Sequence, residues 1–311
     1  MPLRLTRRDT IAGALACLAP RVGRTEGDRI AELVAQVSPE RLRATVVALA
    51  GFPTRYTLHP DFPQVTARVA QGFREIGVAP GGLALLPFTM EGGLLRHNVV
   101  AGSPADPRGV IVVGAHMDSL SETPMRLAPG ANDNATGVAA MIEAHRILAG
   151  AALPCGLVSV AFAGEEQGYR GSAALAAMAR SKGWRVRLML NLDMLGHSHP
   201  GPDAPFWIEA DEGNARPEND AAAQAAGDVA ARMAAAHTRL TIARSDIWGS
   251  DYMPFEAAGF PVIGFYDGAA VDGAPGYHST ADTVDRIDFD RLTEATRLTV
   301  ATVAAVAHQA G

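Results

Sequence analysis

The chain has 311 residues, 48% of them hydrophobic and 19% charged, with 27 basic against 33 acidic side chains and a net charge of −6. This balance excludes an intrinsically disordered chain, a small disulfide-stapled domain and a fibrous repeat, and nothing electrostatic favours a nucleic-acid partner. No apolar run reaches the roughly 20 residues that span a bilayer, so no transmembrane segment is expected.

The chain opens with paired Arg7 and Arg8 ahead of a short apolar stretch, 11–19, that is followed by small residues. Residues 1–26 are therefore expected to be an export signal of the twin-arginine kind with a short leader, addressed to the periplasm or beyond. With the signal removed near Ala19, Cys155 is the one thiol left, which precludes an internal disulfide and suits a small buried apolar residue.

From residue 27 to 311 the pattern reads as one domain. Ser38-Pro39-Glu40 supplies a cap, a first-turn proline and an early acid for a helix over 41–50, and a second helix covers 62–76. Strands 83–90 and 98–102 flank Glu91-Gly-Gly93. The continuous apolar run 110–115 and the mostly apolar stretches 157–162, 188–192 and 261–266 predict buried strands. Helices are expected at 137–148, 172–180, 220–237 and 288–308, the last amphipathic, with a short strand at 206–208. This alternation predicts an α/β fold: a mostly parallel central sheet with helices on both faces.

The chemistry-bearing residues stand where these strands end. The first buried run ends in His116-Met-Asp118, and the loop after it carries Asp133. The second ends in Gly164-Glu165-Glu166, the third in Asn191-Leu-Asp193, and the fourth is followed by Tyr277-His278. Such sites form at the carboxyl ends of strands in open α/β sheets. Histidines and carboxylates converging there repel one another unless a divalent cation joins them, and mixed nitrogen and oxygen donors suit zinc. His116, Asp133, Glu166, Asp193 and His278 are the candidate ligands. One glutamate of the pair binds metal while the other polarises water, and Asp118 accepts the second imidazole proton of His116.

Over roughly residues 98–283 this set, with Gly130-Ala-Asn-Asp-Asn134, resembles the zinc aminopeptidases of family M28. The resemblance implies two zinc ions, with other divalent cations compatible, bridged by Asp133. It assigns His116 and Asp193 to one ion, Glu166 and His278 to the other, and Glu165 to general base and acid. Asp118 becomes the partner that orients His116. Ser250-Asp251 and Asp282-Thr283 match later segments of the family and are expected to shape the pocket and the loop 277–280. The implied activity is hydrolysis of the N-terminal peptide bond of short peptides. Other readings are a glutaminyl-cyclase-like transferase working with one zinc, a dipeptidase or carboxypeptidase on the same scaffold, and a non-catalytic binding module. The compact stretch between Glu166 and His278 leaves no room for the inserted dimerisation domain of the M20 group.

Specificity is expected from loops 200–220 and 242–252, with Trp248, Phe255 and Tyr266 as candidates for an apolar pocket. His197-Ser-His199 lies in a proline- and glycine-containing loop and is assigned to the surface or the pocket rim. His145 reads as structural or exposed, and the acidic stretch 209–220 as a solvated loop.

Overall fold

A computed structural model describes residues 25–199, 204–270, 273, 274 and 276–309. The expected export signal lies almost wholly outside these residues. Helix α1 (Glu26–Val34) opens on a reciprocal cap: Thr25 Oγ1 accepts from Asp28 N–H at 3.2 Å while the Asp28 carboxylate accepts from Thr25 N–H at 3.0 Å. Helix α2 (Pro39–Ala50) starts at Ser38, whose Oγ accepts from Arg41 N–H at 3.2 Å, and α3 (Phe62–Glu75) follows. Then come β1 (Leu83–Thr89), β2 (Leu95–Gly102), β3 (Val110–His116), α4 (Gly137–Leu148), β4 (Gly156–Phe162), α5 (Arg170–Ser181) and β5 (Val186–Asp193). The chain ends with β6 (Phe206–Ala210), α6 (Asp220–His237), β7 (Ile242–Ser245), α7 (Met253–Ala257), β8 (Val262–Tyr266) and α8 (Phe289–His308).

Among the described residues, eight strands form one sheet in the order β1-β2-β4-β3-β5-β8-β6-β7. The four central strands run parallel, while β1, β2 and the β6–β8 pairing are antiparallel. Because successive side chains of a strand face opposite ways, Ile111 and Val113 enter a core with α1–α4, α6 and α8, while Val110 and Val112 enter another with α5 and α7. Strands covered on both faces by helices are apolar at nearly every position, and the buried exceptions are partnered, Ser159 Oγ with His145 Nδ1 and Asn191 Nδ2 with Ser250 Oγ.

The final helix departs from the amphipathic expectation. It is buried along most of its length, threonines included. The hydroxyls of Thr293, Thr296 and Thr299 donate to the carbonyls of Phe289, Leu292 and Ala295, so no water is needed to satisfy them. Among the described residues, no helix is long and apolar enough to cross a membrane.

Candidate metal centre

The carboxyl ends of the parallel strands bring the predicted residues to one cleft of about 320 Å³. His116 is the last residue of β3 and Asp193 the last of β5, with His116 Nε2 3.2 Å from Asp193 Oδ1. Asp133 enters from an irregular turn, 131–136, between β3 and α4. Its Oδ1 lies 3.2 Å from His116 Nε2 and its Oδ2 lies 3.2 Å from His278 Nε2. His278 Nε2 is also 3.1 Å from Glu166 Oε2. Two donor groups result, His116–Asp133–Asp193 and Asp133–Glu166–His278, and they share Asp133. Glu165 lines the same cleft and groups with His116 and Glu166.

Asp118 is wholly buried behind this cluster. Its carbonyl oxygen lies 3.2 Å from His116 Nδ1, and its carboxylate stands 3.7 Å from the same nitrogen. That carboxylate accepts from the backbone N–H groups of Glu165 and Glu166, each at 3.3 Å, and so fixes where the glutamate pair leaves β4.

The loop around Asp133 is held from three sides. Asp282 accepts from the N–H groups of Asn132 and Asp133 at 2.8 and 2.9 Å. Asn134 Oδ1 accepts from Gly137 and Met194 N–H groups, and its Nδ2 donates to Leu192 O at 2.8 Å, tying the loop to β5. A Cβ on Gly137 would meet Asn134 Oδ1 at 2.3 Å and Leu192 O at 2.4 Å, so only glycine lets α4 start there. The third support is Arg55, which is fully buried. Its Nε donates to Met117 O at 2.9 Å, Nη2 to Gly130 O at 2.8 Å, and Nη1 to Pro129 O and Leu49 O. Burial lowers the Arg55 guanidinium to about 10, offset by the surrounding Asp282, Asp133, Asp118 and Glu166, so it stays charged.

Burial and crowding set the charges. Burial would raise Asp133, but hydrogen bonds to both histidines overcome it and hold the carboxyl well below its usual range. Burial raises Glu165 well above the ordinary glutamate value, the neighbouring Glu166, Asp251 and Asp193 adding to it. Glu166 is raised to about 7 by burial and Asp133. His278 rises to about 10, because Asp133 and Glu166 outweigh the opposing effect of burial. Glu166 Oε1 is buried with no hydrogen-bond partner. Two imidazoles, three carboxylates and an orphaned carboxylate oxygen fit divalent zinc.

Among the described residues, the non-glycine residues with positive φ, Tyr169 (60°), Met194 (53°) and His278 (48°), all line this cleft. Strained backbone concentrated at one place is a mark of a functional site. Ser250 Oγ donates to Asp193 Oδ2 at 2.6 Å and accepts from Asn191 Nδ2 at 2.8 Å, fixing the Asp193 carboxylate.

Other expectations meet the structure unevenly. The rings of His197 and His199 pair at 4.4 Å, and His199 Nε2 lies 2.7 Å from Asp267 O; neither joins a donor group among the described residues. His145 is buried, its Nδ1 2.9 Å from Ser159 Oγ. Phe255 packs in the α5–α7 core and does not line the cleft, whereas Trp248 and Tyr266 do. The stretch 209–220 is not simply a solvated loop, since Glu209 and Asp211 are buried. Arg55 carries no local signal in the chain, and Asp282 acts on the Asp133 loop as well as on its own.

The sequence pattern of peptidase family M28 matches residues 98–303. A probable leucine aminopeptidase of Trichophyton verrucosum is 27% identical over 279 residues, spanning 86% of this chain and 73% of that protein. A probable zinc metalloprotease of Pyricularia oryzae is 37% identical over 183 residues, spanning 52% of this chain and 36% of its own. In fold, the LapA aminopeptidase of Legionella pneumophila superposes with a TM-score of 0.77 at 18% identity, covering 92% of this chain and 76% of that one. A Bacteroides thetaiotaomicron glutaminyl cyclase superposes with a TM-score of 0.70 at 19% identity, covering 86% and 98%.

Proposed function

The chain belongs to peptidase family M28, and from that premise we propose that it is a zinc-dependent aminopeptidase releasing the first residue of short peptides. The observation that carries this reading is the split of Asp133 between two histidines, Oδ1 towards His116 and Oδ2 towards His278. His116 and Asp193 would hold one ion, Glu166 and His278 a second, with Asp133 between them. Bound there, the ions supply Lewis acidity that polarises the scissile carbonyl and eases deprotonation of water.

The rest is the work of this chain's own side chains. A Glu165 carboxylate oxygen takes the proton from the attacking water and passes it to the nitrogen of the leaving amine. Desolvation makes that oxygen a stronger base than an ordinary glutamate. Asp118 keeps the Glu165 backbone in place. The surplus of carboxylates suits an unblocked α-ammonium group, which confines cleavage to the first residue. A cyclase working with one zinc would leave the His116–Asp133–Asp193 group without a task. The twin-arginine-like start supports export to the periplasm as part of the same proposal.

The test is hydrolysis of aminoacyl-anilides, free and N-acetylated, by the purified protein with zinc and then with a chelator. Chelator-sensitive turnover of the free substrates alone is expected. No turnover with zinc demonstrably bound overturns the reading, and cyclisation of a glutaminyl peptide would then replace it.

A further inference from the structure

A second cavity of about 420 Å³ opens beside the metal cleft and shares Glu209, Trp248 and Tyr266 with it. The sheet explains the adjacency. Asp193 is paired with Tyr266 and Tyr266 with Trp207, so these three residues stand in one row across β5, β8 and β6. Two residues further along β6, on the same face as Trp207, is Glu209, opposite Gly264. Glu209 therefore lies two strand spacings, about 10 Å, to the side of β5 and deeper than the rim.

Gly264 makes the room. A Cβ there would stand 2.5 Å from Glu209 Oε2 and 2.6 Å from the Tyr252 ring. Glu209 is 3% exposed, and Oε2 accepts from the Tyr252 hydroxyl at 3.0 Å. Trp207, Trp248 and Tyr266 form the walls, Ile247 adds apolar surface and Asp246 a further carboxylate. No lysine or arginine is among the described residues lining this cavity. Arg244 of β7, although near in sequence, is turned to the helix side and pairs with Asp228 of α6 at 2.6 Å.

Resting on the peptidase reading, we propose that this cavity receives the side chain of the substrate's first residue and that Glu209 selects a cationic one, lysine or arginine. Aromatic walls accept the methylene stem and hold a cation against their ring faces. A buried carboxylate at the end of the path gives the ammonium or guanidinium a charge-assisted partner. Burial pushes the Glu209 carboxyl up to about 8, with hydrogen bonds from Tyr252 and Trp248 opposing it and the charges of Asp193 and Asp246 adding to it, and the described residues lining the cavity supply the acid no compensating cation. A leucine side chain would offer Glu209 neither a charge nor a hydrogen-bond donor, so that contact is forfeited. A site built around a polar partner rejects an analogue that lacks it far more strongly than an apolar pocket rejects a change of one methylene.

The experiment compares kcat/KM for lysyl-, arginyl-, norleucyl- and leucyl-anilides, norleucine being close to lysine without its charge. Wild-type protein is expected to favour lysine over norleucine at least tenfold, and Glu209→Gln to bring that ratio within about threefold of unity. Calorimetric affinities for lysinamide and norleucinamide should converge in the same variant. The ratio is blind to a general loss of folded protein, so a merely structural Glu209 would not move it. Preference for norleucine or leucine in the wild type overturns the proposal and leaves the peptidase reading standing. A lysine preference that survives Glu209→Gln unchanged also overturns it, while silence towards every substrate removes the peptidase reading and this proposal together.

Discussion

Arg55→Lys keeps the positive charge and removes the fork that ties three segments together. In the native protein one guanidinium serves Met117 O at the end of β3, Gly130 O and Pro129 O at the entry to the Asp133 loop, and Leu49 O at the end of α2. A lysine nitrogen is a single point and cannot reach acceptors lying on both sides of the fork. At least two buried carbonyls lose their partner, at about 1–3 kcal/mol each. The expected loss is about 3–4 kcal/mol, a large part of the roughly 5–15 kcal/mol that holds a typical domain folded. Urea unfolding followed by circular dichroism should show the midpoint fall by about 1 M, taking a slope of about 3 kcal/mol/M. Zinc should also be retained less tightly, because Pro129 and Gly130 set the path of the chain into Asp133. Arg55→Met serves as the control that removes charge as well, leaving Asp282, Asp133, Asp118 and Glu166 uncompensated, and it should be the less stable of the two. A midpoint for Arg55→Lys within about 0.3 M of wild type would refute the reasoning.

Glu165→Gln should keep its metal and lose turnover by about 10²–10⁴-fold, measured as kcat alongside zinc content by mass spectrometry; near-normal kcat would remove Glu165 from the mechanism. Asp133→Ala should lower occupancy at both donor groups together, and retention of two tightly held zincs would count against a shared ligand. The stability of the fold should fall in acid partly through His145, which burial lowers to about 4. Its folded value lies below the unfolded value of about 6.5, so its stabilising contribution is complete above pH 6.5 and is lost as pH falls towards 4, by about 3 kcal/mol. His145→Asn should therefore lose less stability than wild type between pH 7 and 5 in urea titrations, and an identical slope would exclude His145 as a source.

The parallel strands and the residues at their ends were readable from the chain because one physical fact controls both. A strand covered on two faces carries few polar side chains until it leaves the sheet, so the charged or titratable residue that closes an apolar run, His116 or Asp193, marks the open edge. The weaker elements left no comparable mark. In α1, only Ile30 and Val34 are buried, and β7 has no fully buried residue. The members that long-range geometry alone recruits were the least visible. Arg55 lies in a short loop 61 residues before His116, and nothing around it announces that it will be enclosed. Glu209 looked like the start of an acidic loop. Its burial depends on a glycine 55 residues later, on β8, leaving the space that its carboxylate fills.

The aromatic rim has a consequence of an optical kind. Two of the chain's three tryptophans, Trp207 and Trp248, stand at the cavity beside the cleft, while Trp184 packs against the α5–α7 core. Trp248 is 61% exposed, and its ring centre lies 6.2 Å from that of Tyr266. Whatever enters the pocket strips water from that indole, so the unlabelled protein carries a built-in fluorescent gauge of occupancy, its emission moving to shorter wavelength as the cavity fills.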